Sequence, residues 1–159
     1  MLICALGDLT LDVIVRLAGP IADGGDTDAE IRLVPGGQAA NVAAWAASLG
    51  ATARFMGRTG DDDAGSIARA RLREYGVEVV GPVTGENGLI CSFVSPDGTR
   101  SMAADRGAAV NLEASEIDPA WLEGGAAGGA VGGQVGAIAL PEDGVAPAPD
   151  DDDRVPPYP

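Results

Sequence analysis

The chain contains no histidine and no lysine, and all ten of its basic side chains are arginine. Each absence removes a mechanism. Without imidazole there is no histidine general base and no histidine metal ligand. Without lysine there is no Schiff base and no phosphate-binding lysine of the Walker type. Aromatic residues are scarce too, two each of Trp, Tyr and Phe. A core must therefore be built from Ala, Val, Leu and Ile, which a sequence that is 46% hydrophobic can supply. A chain of 159 residues suits one domain with a genuine core and is short for two.

Positive charge is outweighed as well. Against 24 acidic residues the formal net charge is −14, a balance that repels a phosphate backbone and argues against a nucleic-acid partner. Cys4 and Cys91 each lie in an apolar, strand-like run (LICAL and GLICSFV), as expected of free thiols in a reducing compartment. The opening MLICALGDLTLDVIV lacks the positive flank of a secretory leader, and Asp8 and Asp12 interrupt its apolar run. A cytoplasmic protein with no membrane partner is expected.

Periodicity predicts an α/β fold. Residues 2–6, 11–17 and 29–34 read as strands, and 38–49 as a helix with Val42, Trp45 and Leu49 on one stripe and Gly50 as its left-handed cap. Residues 53–59 read as a strand and 66–75 as a helix closed by Gly76. Residues 88–96 and 99–105 flank Asp97-Gly98, a hairpin signal. A short helix capped by Ser115 is expected over 115–122. From Gly124 the composition changes to glycine doublets, then prolines and a run of four aspartates. Residues 1–123 are accordingly taken as the folded part, and 124–159 as a disordered tail outside it. The stretch 124–140 is too glycine-rich to span a membrane.

Two constellations could carry chemistry. In PGGQAANVAAWAASLG, residues 35–50, a glycine pair precedes a helix whose first turn holds Asn41. Glycines there allow the backbone to approach a ligand and leave the first helical N–H groups ready for an oxygen, while Asn41 offers a donor and an acceptor. Such a site suits a neutral polyol. On spacing alone, a tight strand-to-helix turn explains the same residues. Asp61, Asp62 and Asp63 precede the second helix. Three adjacent side chains cannot all face one ion, so helix capping is expected and a metal site is not.

Residues 36–60, GGQAANVAAWAASLGATARFMGRTG, resemble the N-terminal signature of the ribokinase-like (PfkB) carbohydrate kinases. The segments GDLTLD, GDDDAG, REYGVEV and PDGTR resemble the family in the same order, so that the similarity runs from about residue 2 to residue 123. It implies a ribokinase-like layered α/β/α fold with a small β-sheet lid, truncated after the first half. It implies transfer of a phosphoryl group from ATP, with Mg2+, to a hydroxymethyl of a sugar, sugar acid or nucleoside, and a homodimer formed through the lid. Carried across by motif, Asp12 accepts hydrogen bonds from sugar hydroxyls, Gly36, Gly37 and Asn41 bind the acceptor, and Arg106 contacts it from the lid side. For Arg106 a surface role or a salt bridge explains the residue equally well.

The chain also departs from that family. Its catalytic aspartate lies in a Gly-Ala-Gly-Asp loop that is absent from these 159 residues, so no catalytic residue and no nucleotide site are assigned. Gly57-Arg58-Thr59-Gly60-Asp61 imitates the loop but lies inside the first-half signature. A frame departure near Gly124 is one expectation. A second is a weakly stable or aggregating fragment, because a half-built parallel sheet leaves edges and faces uncovered. A catalytically inactive fragment that at most binds a polyol or self-associates through its lid strands is the alternative function.

Overall fold

The computed structural model describes residues 1–131 and 134–135, with side chains through Gly124. Nine strands and two α-helices follow one another as β1 (Leu2–Leu6), β2 (Thr10–Leu17), β3 (Ala29–Gly36), α1 (Gln38–Ser48), β4 (Thr52–Met56), α2 (Asp63–Glu74), β5 (Val77–Val80), β6 (Gly88–Val94), β7 (Arg100–Asp105), β8 (Gly125–Val131) and β9 (Gln134–Val135). They form two sheets. The larger has the order β5-β4-β1-β8-β9, with β1, β4, β5 and β8 parallel. The smaller has the order β3-β2-β6-β7 and is the expected lid.

The core lies between the larger sheet and the helices. Phe55, Leu9, Met56 and Leu72 are its largest fully buried apolar side chains. Helix α1 reaches the sheet through Ala39, Ala40, Ala43, Ala44 and Ala46. This corrects the expected stripe in part: Val42 packs partly buried against the core, whereas Trp45 and Leu49 are 41% and 57% exposed because the close approach is made through alanines. The helix ends as expected. The Gly50 N–H donates to Ala47 O at 2.9 Å and the Ala51 N–H to Ala46 O at 3.0 Å, closed by Gly50 at φ +86.

Two further expectations need correction. Residues 114–122 form two short 3-10 turns, Ala114–Glu116 and Pro119–Leu122, instead of a single helix. Pro119 disfavours the helical conformation at Asp118, so each turn takes its own cap, Glu113 and Asp118, and Ser115 caps neither. Gly125–Val131 is a strand, with Leu2 opposite Gly125 and Leu6 opposite Gly129. Glycine doublets hide a strand from pattern reading, yet ladder hydrogen bonds come from the backbone and need no side-chain alternation. Of the rest of the expected tail, Gln134–Val135 is a short strand, and residues 132–133 and 136–159 lie outside the described residues.

The lid is fastened at its root. The Asp62 carboxylate caps α2 by accepting the Gly65 N–H at 2.8 Å, and its second oxygen accepts the Asn87 N–H at 3.0 Å. Asn87 in turn accepts the Gly60 N–H at 3.0 Å and donates to Gly88 O at 3.0 Å. Capping is therefore the observed use of the Asp61–Asp63 run, in which Asp61 and Asp63 are exposed.

Candidate functional site

The site grows from the end of β1, where the chain leaves the sheet at Gly7-Asp8 and enters β2. Strand β3 pairs antiparallel to β2 and delivers Gly36 opposite Thr10, so the glycine pair and the start of β2 are brought together by register. Asp12 lies two residues along β2, is 8% exposed, and accepts the Thr10 hydroxyl at 2.7 Å. A β-carbon at Gly36 would overlap the Asp12 carboxylate. Glycine at 36 is thus what lets a buried carboxylate stand against the turn. At Gly37, φ is +100 and a β-carbon would overlap the Asp8 carbonyl, so both conformation and space demand glycine.

The sequence reading leaves the first N–H groups of α1 open for a ligand oxygen; the structure corrects this. Asp8 occupies them. Its Oδ1 accepts the Gln38 N–H at 2.9 Å and the Ala39 N–H at 3.5 Å, and its carbonyl accepts the Ala40 N–H at 3.4 Å. Asp8 thus serves as the cap that the glycine at the N-cap position cannot supply. Sequence spacing could not reveal it, because the cap comes from thirty residues upstream.

Asn41 sits one turn into α1 with its N–H bonded to Gly37 O at 3.0 Å, and its half-buried side-chain amide has no hydrogen-bond partner among the described residues. Gly36 is therefore packed against Asp12, and Asn41 follows Gly37 by one helical turn. Arg106 stands apart: its exposed side chain lies beyond β7, at the start of a 3-10 turn over Gly107–Asn111. Its backbone is near the site, since a β-carbon at Gly88, which pairs with Thr10, would sit 2.8 Å from the Arg106 carbonyl oxygen.

One of the electrostatically perturbed groups stands at the lid root. Burial would raise the Asp62 carboxyl, but the N–H groups of Gly65 and Asn87, with help from Arg69, outweigh it and hold Asp62 below the ordinary value of 3.8. A cavity of about 310 Å3 opens beside this root, lined by residues that include Arg58, Thr84, Glu86 and Asn111, and it contains none of Asp12, Gly36, Gly37 or Asn41. Among the described residues no three His, Cys, Asp or Glu side chains are grouped so that they could hold a metal ion. No described helix is long and apolar enough to cross a membrane.

A parallel layered α/β sheet thus meets a four-stranded second sheet at the turn where Gly36 packs against Asp12 and Gly37 against Asp8. The profile of the pfkB family carbohydrate kinases matches residues 1–127, and the chain belongs to that family. It is 33% identical over 120 residues to an ATP-dependent ribose-1-phosphate kinase of Halopiger xanaduensis, covering 73% of this chain and 40% of that one. To the ribokinase of Bacillus subtilis it is 32% identical over 110 residues, covering 67% and 37% of the two chains. The chain thus spans about two fifths of the length of these relatives. The crystal structure of a ribokinase from Thermotoga maritima superposes with a TM-score of 0.62 at 23% identity, over 74% of this chain and 40% of that one, which establishes the ribokinase-like fold.

Proposed function

We propose that this chain carries the acceptor-binding half of an ATP-dependent carbohydrate kinase, one that phosphorylates a hydroxymethyl group of a sugar or nucleoside. The observation that carries the reading is the Asp12 carboxylate held against Gly36, with Asn41 one helical turn beyond Gly37. A carboxylate accepts from two neighbouring hydroxyls at once, and an amide both donates and accepts, so the pair matches a polyol. Gly36 and Gly37 bring the backbone of the turn against Asp12 and Asp8 beside the acceptor, and Arg106, assigned to the acceptor by the resemblance, is exposed beyond β7. Phosphoryl transfer needs a base and a phosphate cradle, and no Gly-Ala-Gly-Asp loop occurs in this sequence to supply them. ATP and Mg2+ are therefore expected to bind through residues other than those of residues 1–123.

A second reading is favoured by the lid. Ile31, Val15 and Phe93 form one cross-strand row, and Leu33, Val13 and Cys91 the next, with Ile31 and Leu33 63% and 43% exposed. On this reading the chain binds a polyol without turning it over and pairs with a second copy through these rows. A coupled ATP assay over pentoses, hexoses, sugar acids and nucleosides separates the two. Turnover of any acceptor supports the kinase reading for this chain, and zero turnover with all of them leaves the binding-and-pairing reading.

A further inference from the structure

We infer that the cavity beside the lid root is a second small-molecule site, separate from the acceptor turn, and that it takes a free α-amino acid, whose carboxylate meets Arg58 and whose ammonium meets Glu86. The cavity measures about 310 Å3, at the small end of ligand pockets, which run from about 300 to 1,000 Å3, so it suits a metabolite well below nucleotide size. Its walls are tied in place. The Thr84 N–H donates to Thr59 O at 2.8 Å, the Asp61 N–H to Gly85 O at 2.9 Å, and the Ala108 N–H to Glu86 O at 2.7 Å. The space is therefore preformed between the segment that enters β6 and the one that leaves β7.

Arg58 indicates what the occupant must supply. Among the described residues, Arg58 Nε is the one buried side-chain polar atom without a hydrogen-bond partner. Nη2 of the same group donates to Oε1 of Glu116, whose other oxygen is taken by the Glu113 N–H at 2.9 Å. Nη1 has no partner among the described residues either. Unfilled donors on a half-buried guanidinium are costly, and a ligand carboxylate brings acceptors that the chain does not. Charge then selects among carboxylates. Glu116 already neutralises Arg58, the exposed Glu86 lines the same cavity, and the chain carries −14 overall, so a simple anion is opposed. A zwitterion adds no net charge and gives Glu86 a cation. Thr84 and Asn111 offer a hydroxyl and an amide to the rest of the ligand.

The test titrates the 159-residue chain with the common L-amino acids. Each that binds is compared with its N-acetyl derivative, which lacks the ammonium, and its decarboxylated amine, which lacks the carboxylate. Amide NMR shifts locate the site and are expected at Gly85, Gly107 and Ala108 and not at Gly36 or Gly37. Each truncated ligand is expected to bind about tenfold or more weakly. Glu86→Gln, at an exposed position, should abolish the preference over the N-acetyl form and keep the preference over the amine. Arg58→Lys keeps the charge beside Glu116 but loses the guanidinium donors, and should do the converse. If Arg58→Lys unfolds, the ligand comparison and Glu86→Gln still decide. No binding by any amino acid, equal affinity for the truncated ligands, shifts confined to Gly36 and Gly37, or preferences unchanged in Glu86→Gln overturns the inference. The acceptor-site reading rests on sugar binding and is untouched by each of these results.

Discussion

Asp62 and Asn87, twenty-five residues apart, are joined by a 3.0 Å hydrogen bond from the Asn87 N–H to the carboxylate that also caps α2. One side chain therefore fixes both the start of a helix and the root of the lid. Asp62→Ala removes two acceptors together. It is expected to cost about 1–3 kcal/mol, more than an ordinary cap. Urea unfolding gives the loss, and amide exchange of Gly65 and Asn87 locates it; protection of Asn87 that survives the substitution contradicts the coupling.

The same carboxylate predicts a direction in pH. Asp62 is held below its ordinary 3.8, burial opposing the shift and the N–H groups of Gly65 and Asn87 producing it. Glu116 is held below its ordinary 4.5, first by the Glu113 N–H and then, against slight burial, by Arg58. A carboxyl whose folded pKa is depressed contributes stability that is fully present above its unfolded pKa and lost as pH falls through the folded one. Stability is thus expected to be flat above about pH 5 and to fall in acid below the unfolded values near 4. Asp62→Ala and Glu116→Gln should each flatten that acid limb in denaturant midpoints taken across pH; an unchanged slope in both contradicts the assignment.

The glycine pair makes two different predictions from two adjacent positions. Gly37→Ala forces a side chain onto φ +100 and into the Asp8 carbonyl. Its cost is about 1–2 kcal/mol from the backbone alone, seen as lowered thermal stability. Gly36 has no positive φ, and a β-carbon there displaces the Asp12 carboxylate instead. Gly36→Ala is therefore expected to lose sugar binding, read by NMR titration, out of proportion to any loss of stability. Sugar affinity equal to wild type would remove Asp12 from the acceptor site.

The residues that sequence reading located are those whose signal is local. The strand that carries Asp12, the Gly50 cap and the Asp97-Gly98 turn each depend on neighbours a few positions away, and the structure has them where expected. What escaped is long-range. The Asp8 cap joins loops thirty residues apart, and β8 is held by a ladder that glycine doublets do not advertise. Helix α1 shows a third case, in which pattern and packing disagree. Trp45 and Leu49 have the spacing of a buried stripe, yet alanines win the buried face because the helix approaches the sheet closely. The pocket residues implied by resemblance divide the same way. Asp12 on β2 meets Gly36 at the end of β3, with Gly37 and Asn41 following at the start of α1, whereas the Arg106 side chain is exposed beyond β7.

Strand β3 alternates in sequence, with Glu30 and Arg32 paired on one face and Ile31 and Leu33 on the other, and residues 29–33 are exposed on both faces. The apolar face is thus left uncovered, and β2 and β6 extend it through Val13, Val15, Cys91 and Phe93. Two rows of apolar side chains across three strands, rimmed by the exposed strand β7, form a surface that water covers at a cost. If a second copy covers it, the chain sediments as a dimer. Ile31→Lys with Leu33→Lys then places like charges opposite one another across the pairing surface and shifts the equilibrium to monomer by about a hundredfold or more. Both substitutions lie on exposed positions, so the fold should tolerate them, which circular dichroism checks. Sedimentation velocity over a concentration series decides the matter: a wild type that remains monomeric at high concentration, or a double variant that dimerises as well as wild type, excludes the lid rows as the pairing surface.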